Sequence, residues 1–266
     1  MSWSLERSGG VVTCAHANPP RHTLTAAGVR ELSERLDALE RDPSLRVLVL
    51  TGAGEGVFVA HYEVDELAAA AEGASGEAPP PAREGRRLHP FHALCLRLEA
   101  LPAATVAALN GNAAGGGCEL ALACDFRLMA EGPFHLGLPE TSVGIIPGAG
   151  GTQRMARLLG PARALDLILH ATLLSPGDAR ELGLVHRTYP AASFRAEVRR
   201  FAADLASRAP IALAAAKRAI RRGAELPLAD GLALEQEEFE RCMRSKDAAG
   251  ALRAWLRGER FDWTGE

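Results

Sequence analysis

Hydrophobic and polar positions change period several times along the chain. Val29, Leu32, Leu36 and Leu39 recur at helical spacing behind Thr25, whose hydroxyl can accept from first-turn amides. At 46–52, "RVLVLTG" is an unbroken apolar, β-branched run stopped by glycine, which reads as a strand buried on both faces. "VVTCA" (11–15), "ATVAALNG" (104–111), "FRLMAE" (126–131) and "LVHRTY" (184–189) read as further strands. "VFVAHYEVDELAAAA" (57–71) turns helical near Val64, and "HALCLRLEAL" (92–101) is helical throughout. "PGAGGTQRMARLLG" leads into a helix closed by Gly160. "SPGDARELG" has Ser175 as cap, Pro176 at the first helical position and Gly183 past the end. From Phe194 onward the pattern is helical, enough for three or four helices. "EGASGEAPPPAREG" (72–85) is rich in Gly, Ala and Pro and is expected to be a mobile loop. Strand and helix thus alternate to about residue 190, which places the chain in the α/β class with parallel pairing, and a helical tail follows.

The 266 residues suit one large domain or a domain with an appendage, and the division is expected between 1–195 and 196–266. A hydrophobic fraction of 47% supplies a sizeable core. The net charge of −3 gives no global pull toward nucleic acid or an acidic membrane. Cys14, Cys95, Cys118, Cys124 and Cys242 form no CxxC pair and no zinc spacing with His, which fits buried, reduced thiols in a cytosol. No apolar run is long enough to span a bilayer. "MSWSLERSGG" has no apolar h-region and is not Arg-rich, so a cytoplasmic location is expected.

Three glycine-rich stretches carry candidate chemistry. "TGAGEGVF" and "PGAGGTQ" fail the GxGxxG spacing and lack the GK[ST] ending of a P-loop. "NAAGGGCELALACD" (112–125) puts three glycines at a helix start with Glu119 in the first turn. Backbone N–H groups there could cradle a phosphate or stabilise an oxyanion. A carboxylate on the same amides would repel a phosphate, so the stretch fits a site acting on a neutral carbonyl. Close helix–strand packing, where only Gly fits, is the plainer alternative. Glu140, in "HLGLPETSVGIIPGAGG", falls on a loop or strand end. Facing one cleft, Glu119 and Glu140 would be a paired acid/base system.

"VAALNGNAAGGGCELALACDFRLMAE" and "LPETSVGIIPGAGGTQRM" resemble the two signature segments of the crotonase superfamily, the enoyl-CoA hydratase/isomerase family. "NPPRHTLT", "LVLTGAGEGVFVA", "SPGDARELGLVHRTYP", "SRAPIALAAAKRAI" and "ALRAWLRGERF" extend the resemblance over nearly the whole chain. It implies a spiral of ββα turns and a C-terminal helical region that builds homotrimers, often stacked as hexamers. The implied substrate is an acyl-CoA thioester, with no metal and no redox cofactor, CoA being part of the substrate. The implied oxyanion hole is the Tyr62 and Gly116 N–H groups. The implied reaction is hydration of a 2-enoyl-CoA, with Glu119 activating the water and Glu140 delivering the proton to the α-carbon. Ala60, His61 and Tyr62 would border the acyl-CoA, and Arg21, in the first turn beside His22, would contact the CoA phosphates.

The family loop F-x-A-G-x-D-[LI] reads "FVAHYEV" here, with His61 for Gly, Tyr62 for a small residue and Glu63 for Asp. Either His61 keeps a strained turn or the loop reroutes. The rings reshape the acyl pocket or, on a sharper reading, join in proton transfer. The substitution keeps another crotonase-type reaction open: isomerase, hydrolase or dienoyl-CoA hydratase. A rival of another class is RNA binding, known among relatives of the family, through "KRAIRR" (217–222), whose plainer reading is a solvated helix face.

Overall fold

A computed structural model describes residues 2–75 and 88–266. Strands β1 (Trp3–Ser8) and β2 (Val11–His16) precede helix α1 (Ala26–Leu39). The next turn supplies β3 (Val47–Gly52), β4 (Gly56–Val59), α2 (Val64–Ala74) and α3 (Pro90–Ala100). A third consists of β5 (Ala104–Leu109), β6 (Gly111–Ala114) and α4 (Gly116–Leu122). A fourth contains β7 (Phe126–Glu131), β8 (Leu136–Gly137), a 3-10 turn (Glu140–Val143), α5 (Gly151–Leu159) and α6 (Pro161–Leu169). Then come β9 (Leu173–Leu174), α7 (Pro176–Glu181) and β10 (Arg187–Pro190), followed by α8 (Phe194–Ala206), α9 (Pro210–Gly223), α10 (Leu228–Met243) and α11 (Lys246–Leu256).

β1 and β2 both join one sheet, and from β3 onward successive turns send one strand to each of two sheets, ordered β1-β2-β3-β5-β7-β10 and β4-β6-β8-β9. Pairing is parallel except at β1–β2 and β8–β9. The architecture is therefore a ββα spiral with a helical C-terminal region. The period of two in the central strands explains their unbroken apolar runs. Val47, Val49, Val106 and Leu128 face one core, which they share with Phe194, Val198 and Ala202 of α8. Leu48, Leu50, Ala107, Leu109 and Met129 face the other, shared with Leu32 and Leu36 of α1 and Leu94 and Leu98 of α3. Thr25 caps α1 as expected, its Oγ1 accepting from Gly28 N at 3.0 Å.

Several elements differ from the sequence reading. β1 was not expected, because among its six residues Trp3 alone is buried and no alternation marks it. β10 starts at Arg187, while Leu184 and Val185 fill the core just before it. α2 runs through Ala74, so the expected loop over 72–85 begins later, and its part from 76 lies outside the described residues. In the tail, Leu205, Ile211 and Leu213 are half-buried, whereas Ile220, Leu232, Phe239, Leu252 and Trp255 are 52–78% exposed. No described helix is long and apolar enough to cross a membrane.

Candidate active site

Strand β6 turns into α4 through a single residue, and that corner uses all three glycines. Gly115 has φ +50° and ψ −122°, a backbone that side chains disfavour. A Cβ on Gly117 would collide with Val59 O of β4. A Cβ on Gly116 would lie 3.0 Å from Tyr62 Cβ and 3.2 Å from Tyr62 N. Bare backbone thus brings the start of α4 against the segment that follows β4. Gly116 is the first helical residue, so its N–H has no acceptor inside the helix. Tyr62 bridges Leu24, but the bonds there run from Leu24 N to His61 O and from Glu63 N to Leu24 O, both 2.8 Å. That alternation leaves the Tyr62 N–H on the opposite edge, the side of Gly116. Ala60 is spent on holding the loop: its N–H donates to His22 O at 3.0 Å and its carbonyl accepts from Ala114 N at 2.9 Å.

Glu119 lies one turn into α4 and is 3% exposed. Its Oε1 accepts from Ala149 N at 2.6 Å and Gly151 N at 2.8 Å, amides of the loop that opens α5. Burial pushes this carboxyl up, against the two amide bonds and the charge of Arg154. Glu140 opens the 3-10 turn, and a Cβ on Gly115 would lie 3.1 Å from its Oε1. Its Oε2 is buried without a hydrogen-bond partner. Burial raises this carboxyl from 4.5 to about 7, and the Glu119 charge adds to the rise. The start of α4 is therefore faced by two carboxyls, Glu119 gripped by two amides and Glu140 raised to about 7 by burial.

His61 is on the same rim, its Cβ 3.9 Å from where a Cβ on Gly115 would lie. Its Nδ1 donates to Tyr62 O at 2.7 Å, which fixes the tautomer. Of the two alternatives for this loop, the strained turn is not what forms. The described non-glycine residues at positive φ are His22 (+54°) and Ala171 (+52°), so His61 sits in the loop without left-handed strain. The Tyr62 ring stacks on Phe91, centroids 6.1 Å apart and planes 27° apart. Burial, then a hydrogen bond to Glu66, raises its phenol to about 12, so the hydroxyl stays neutral. Arg21 is 58% exposed and pairs with Glu63 at 3.1 Å and Asp65 at 2.9 Å. The structure thus gathers Glu119, Glu140, Gly116, Tyr62, His61 and Ala60 and leaves Arg21 at the surface nearby.

Sequence reasoning passed over the Ala149 and Gly151 amides, since "PGAGG" read as a turn. A glycine-rich run opening a helix was the available signal for amide donors. Phe91 falls outside the helix read over 92–101, which in the structure starts at Pro90. Three bases of "KRAIRR" turn inward. Lys217 pairs with Asp125 at 2.8 Å, Arg218 with Glu238 at 2.6 Å, and Arg221 with Asp125 at 2.9 Å. Cys14, Cys95, Cys118 and Cys124 are free, buried thiols whose ionisation burial opposes. Among the described residues, no group of three or more His, Cys, Asp or Glu is placed to hold a metal ion.

Residues 6–266 match the family model described as enoyl-CoA hydratase/isomerase. The chain is 32% identical over 260 residues to the short-chain-enoyl-CoA hydratase of Clostridium acetobutylicum, covering 97% of this chain and 95% of that protein. It is 33% identical over 227 residues to the crotonyl-CoA hydratase of Syntrophomonas wolfei, covering 85% and 83%. The crystal structure of enoyl-CoA hydratase from Bacillus anthracis matches with a TM-score of 0.89 at 34% identity over 100% of both chains. The chain belongs to the enoyl-CoA hydratase/isomerase family, the crotonase superfamily, and is an acyl-CoA enzyme of that family.

Proposed function

We propose that the protein is an enoyl-CoA hydratase, adding water to a 2-enoyl-CoA thioester to give a 3-hydroxyacyl-CoA. Hydration needs a base for the water, an acid for the α-carbon and donors for the thioester oxygen. Glu119 takes a proton from the water as its oxygen bonds to C3. The C2=C3 electron pair moves toward C2, and negative charge builds on the thioester oxygen. The Gly116 and Tyr62 N–H groups stabilise that charge, a role worth about 3–4 kcal/mol for one donor. Glu140 delivers a proton to C2. The observation that carries this reading is Glu140 itself: a carboxyl with its Oε2 unpartnered, holding a proton near neutral pH, at the helix start that also bears Glu119. CoA is part of the substrate, and no step needs a metal or a redox cofactor. Arg21 exchanges its surface partners for a CoA phosphate. A panel of 2-enoyl-CoA esters of different chain lengths tests the reading. Formation of a 3-hydroxyacyl-CoA from at least one of them supports it. Isomerisation or thioester hydrolysis with no hydration on any ester overturns it.

The rings of His61 and Tyr62 act on specificity. The oxyanion hole uses the Tyr62 amide, while its phenol is directed to Glu66 and its ring is stacked on Phe91. A pocket wall shifts preference by about 1–3 kcal/mol per methylene-sized change. The double variant His61→Gly/Tyr62→Ala therefore keeps hydratase activity and reorders kcat/KM across short, long, branched and cyclic esters. An unchanged order removes the rings from specificity. Complete loss of activity, with fold and CoA binding retained, makes them part of the chemistry.

We also propose that the chain works in the cytoplasm as a homotrimer or a stacked pair of trimers, with its exposed tail residues Ile220, Phe239 and Trp255 covered by neighbouring subunits. Sedimentation at micromolar concentration should give a trimer or larger, and a stable monomer contradicts this. No nucleic-acid or membrane partner is part of the proposal.

A further inference from the structure

The amide clamp on Glu119 depends on the shape of one short loop. Ala149 N and Gly151 N converge on a single oxygen, Glu119 Oε1, across a residue, Gly150, held at φ +102°. The Arg154 side chain packs over Gly150, so that a Cβ there would collide with its guanidinium. Arg154 Nη1 donates to Ala149 O at 2.8 Å. Arg154 Nε and Nη2 donate to the two carboxylate oxygens of Glu99 at 2.7 and 3.3 Å. Both side chains are shielded, at 14% and 20% exposure. A rigid fork anchored at one end and bonded to a loop carbonyl at the other fixes the plane of that peptide. Glu99 is itself shared with Arg221 of α9 at 3.4 Å. Arg221 pairs with Asp125 at 2.9 Å, and Asp125 with Lys217 at 2.8 Å. Alternating charges thus run from the C-terminal helical region to the loop that grips Glu119.

We infer that Arg154 is a positioning residue for the reaction, shaping the two-amide clamp on Glu119, and that Glu99 holds Arg154 in register for that task. The inference rests on the reading of Glu119 as the base. Arg154 also acts on Glu119 through its charge. The groups facing Glu119 are Arg154 on α5, Glu140 on the 3-10 turn, and the neutral Cys95 on α3 and Cys118 on its own helix. Those facing Arg154 are Glu99, Cys95 and His92 on α3, besides Glu119. Removing the guanidinium takes away the cation that favours the ionised Glu119 and makes its proton harder to lose.

The test compares Arg154→Met, Arg154→Lys and Glu99→Gln with wild type in three readouts. These are kcat and KM on an ester that wild type hydrates, the acidic limb of the pH–rate profile, and a carbon-13 NMR titration of the Glu119 carboxyl, assigned by its loss in Glu119→Gln. The expected result for folded Arg154→Met is a fall in kcat of ~10²-fold with little change in KM, the size that misplacing a catalytic group produces. Its acidic limb and the Glu119 titration both move to higher pH. Arg154→Lys restores the limb but not kcat, because it keeps the charge and loses the fork. Glu99→Gln shifts the readouts in the same direction as Arg154→Met by less, and decides the matter if Arg154→Met does not fold. Wild-type kcat and an unmoved limb in folded variants overturn the inference, as does a loss that lies entirely in KM. If wild type hydrates no ester, the proposed function fails, and the NMR titration alone then judges the clamp: an unmoved Glu119 carboxyl overturns it.

Discussion

Glu119→Gln and Glu140→Gln each lower kcat/KM for hydration by about 10²–10⁴-fold, the range for losing one acid or base, and leave acyl-CoA binding largely intact. Gln fits both places. Its oxygen can still accept from Ala149 N and Gly151 N at position 119, and at 140 its amide can fill the site of the unpartnered Oε2. What is lost is the capacity to take or give a proton. The pH profiles separate the two roles. In the proposed role of acid, Glu140 must be protonated, so wild-type activity is expected to fall as pH rises through about 7. The alkaline limb is absent from the residual activity of Glu140→Gln and present in that of Glu119→Gln. Stability follows the same proton. A carboxyl whose value is raised on folding favours the fold most below its ordinary 4.5 and loses that contribution as pH climbs to about 7. The melting temperature of wild type therefore drops relative to Glu140→Gln across that window and runs parallel above it. Either variant hydrating at near wild-type rate refutes the role of that residue.

Gly116→Ala tests the oxyanion hole from the backbone. The new methyl group would meet Tyr62 Cβ at 3.0 Å and Phe91 Cε1 at 3.3 Å, both tighter than ordinary contact. Tyr62 is backed by its stack on Phe91, so relief comes from moving the Tyr62 amide or the start of α4. Either shift separates the two donors from the position of one oxygen. The expected loss is ~10²–10³ in kcat, as when an oxyanion donor is removed. Helix propensity favours Ala over Gly, so α4 itself is not weakened. Wild-type kcat in this variant would place the oxyanion elsewhere.

The sequence carried most of the spiral because its signals are local. Thr25 sits at the start of the α1 pattern, and the apolar runs of β3, β5 and β7 reflect burial on both faces. The crowded corner before α4 was legible in three successive glycines, with Glu119 one turn on. Other parts left weaker marks. β1 exposes five of its six residues, and β8 and β9 are two residues long, too short for any period to register. The approach of Glu140 to Gly115 and the grip of Arg154 on Ala149 depend on how separate turns of the spiral meet, which no local pattern encodes. The effect of His61 was open for the same reason: whether a ring strains a loop depends on the path the loop takes.

The proposed reaction adds water across the C2=C3 bond of an acyl-CoA thioester. Incubation of the protein with a 2-enoyl-CoA in oxygen-18 water and, separately, in deuterium oxide tests it directly by mass spectrometry of the product. The expected product is a 3-hydroxyacyl-CoA with oxygen-18 at C3 in the first solvent and one non-exchanging deuterium at C2 in the second, and Glu119→Gln forms it far more slowly. An unhydrated ester with a moved double bond, or free CoA with oxygen-18 in the released carboxylate, would contradict hydration.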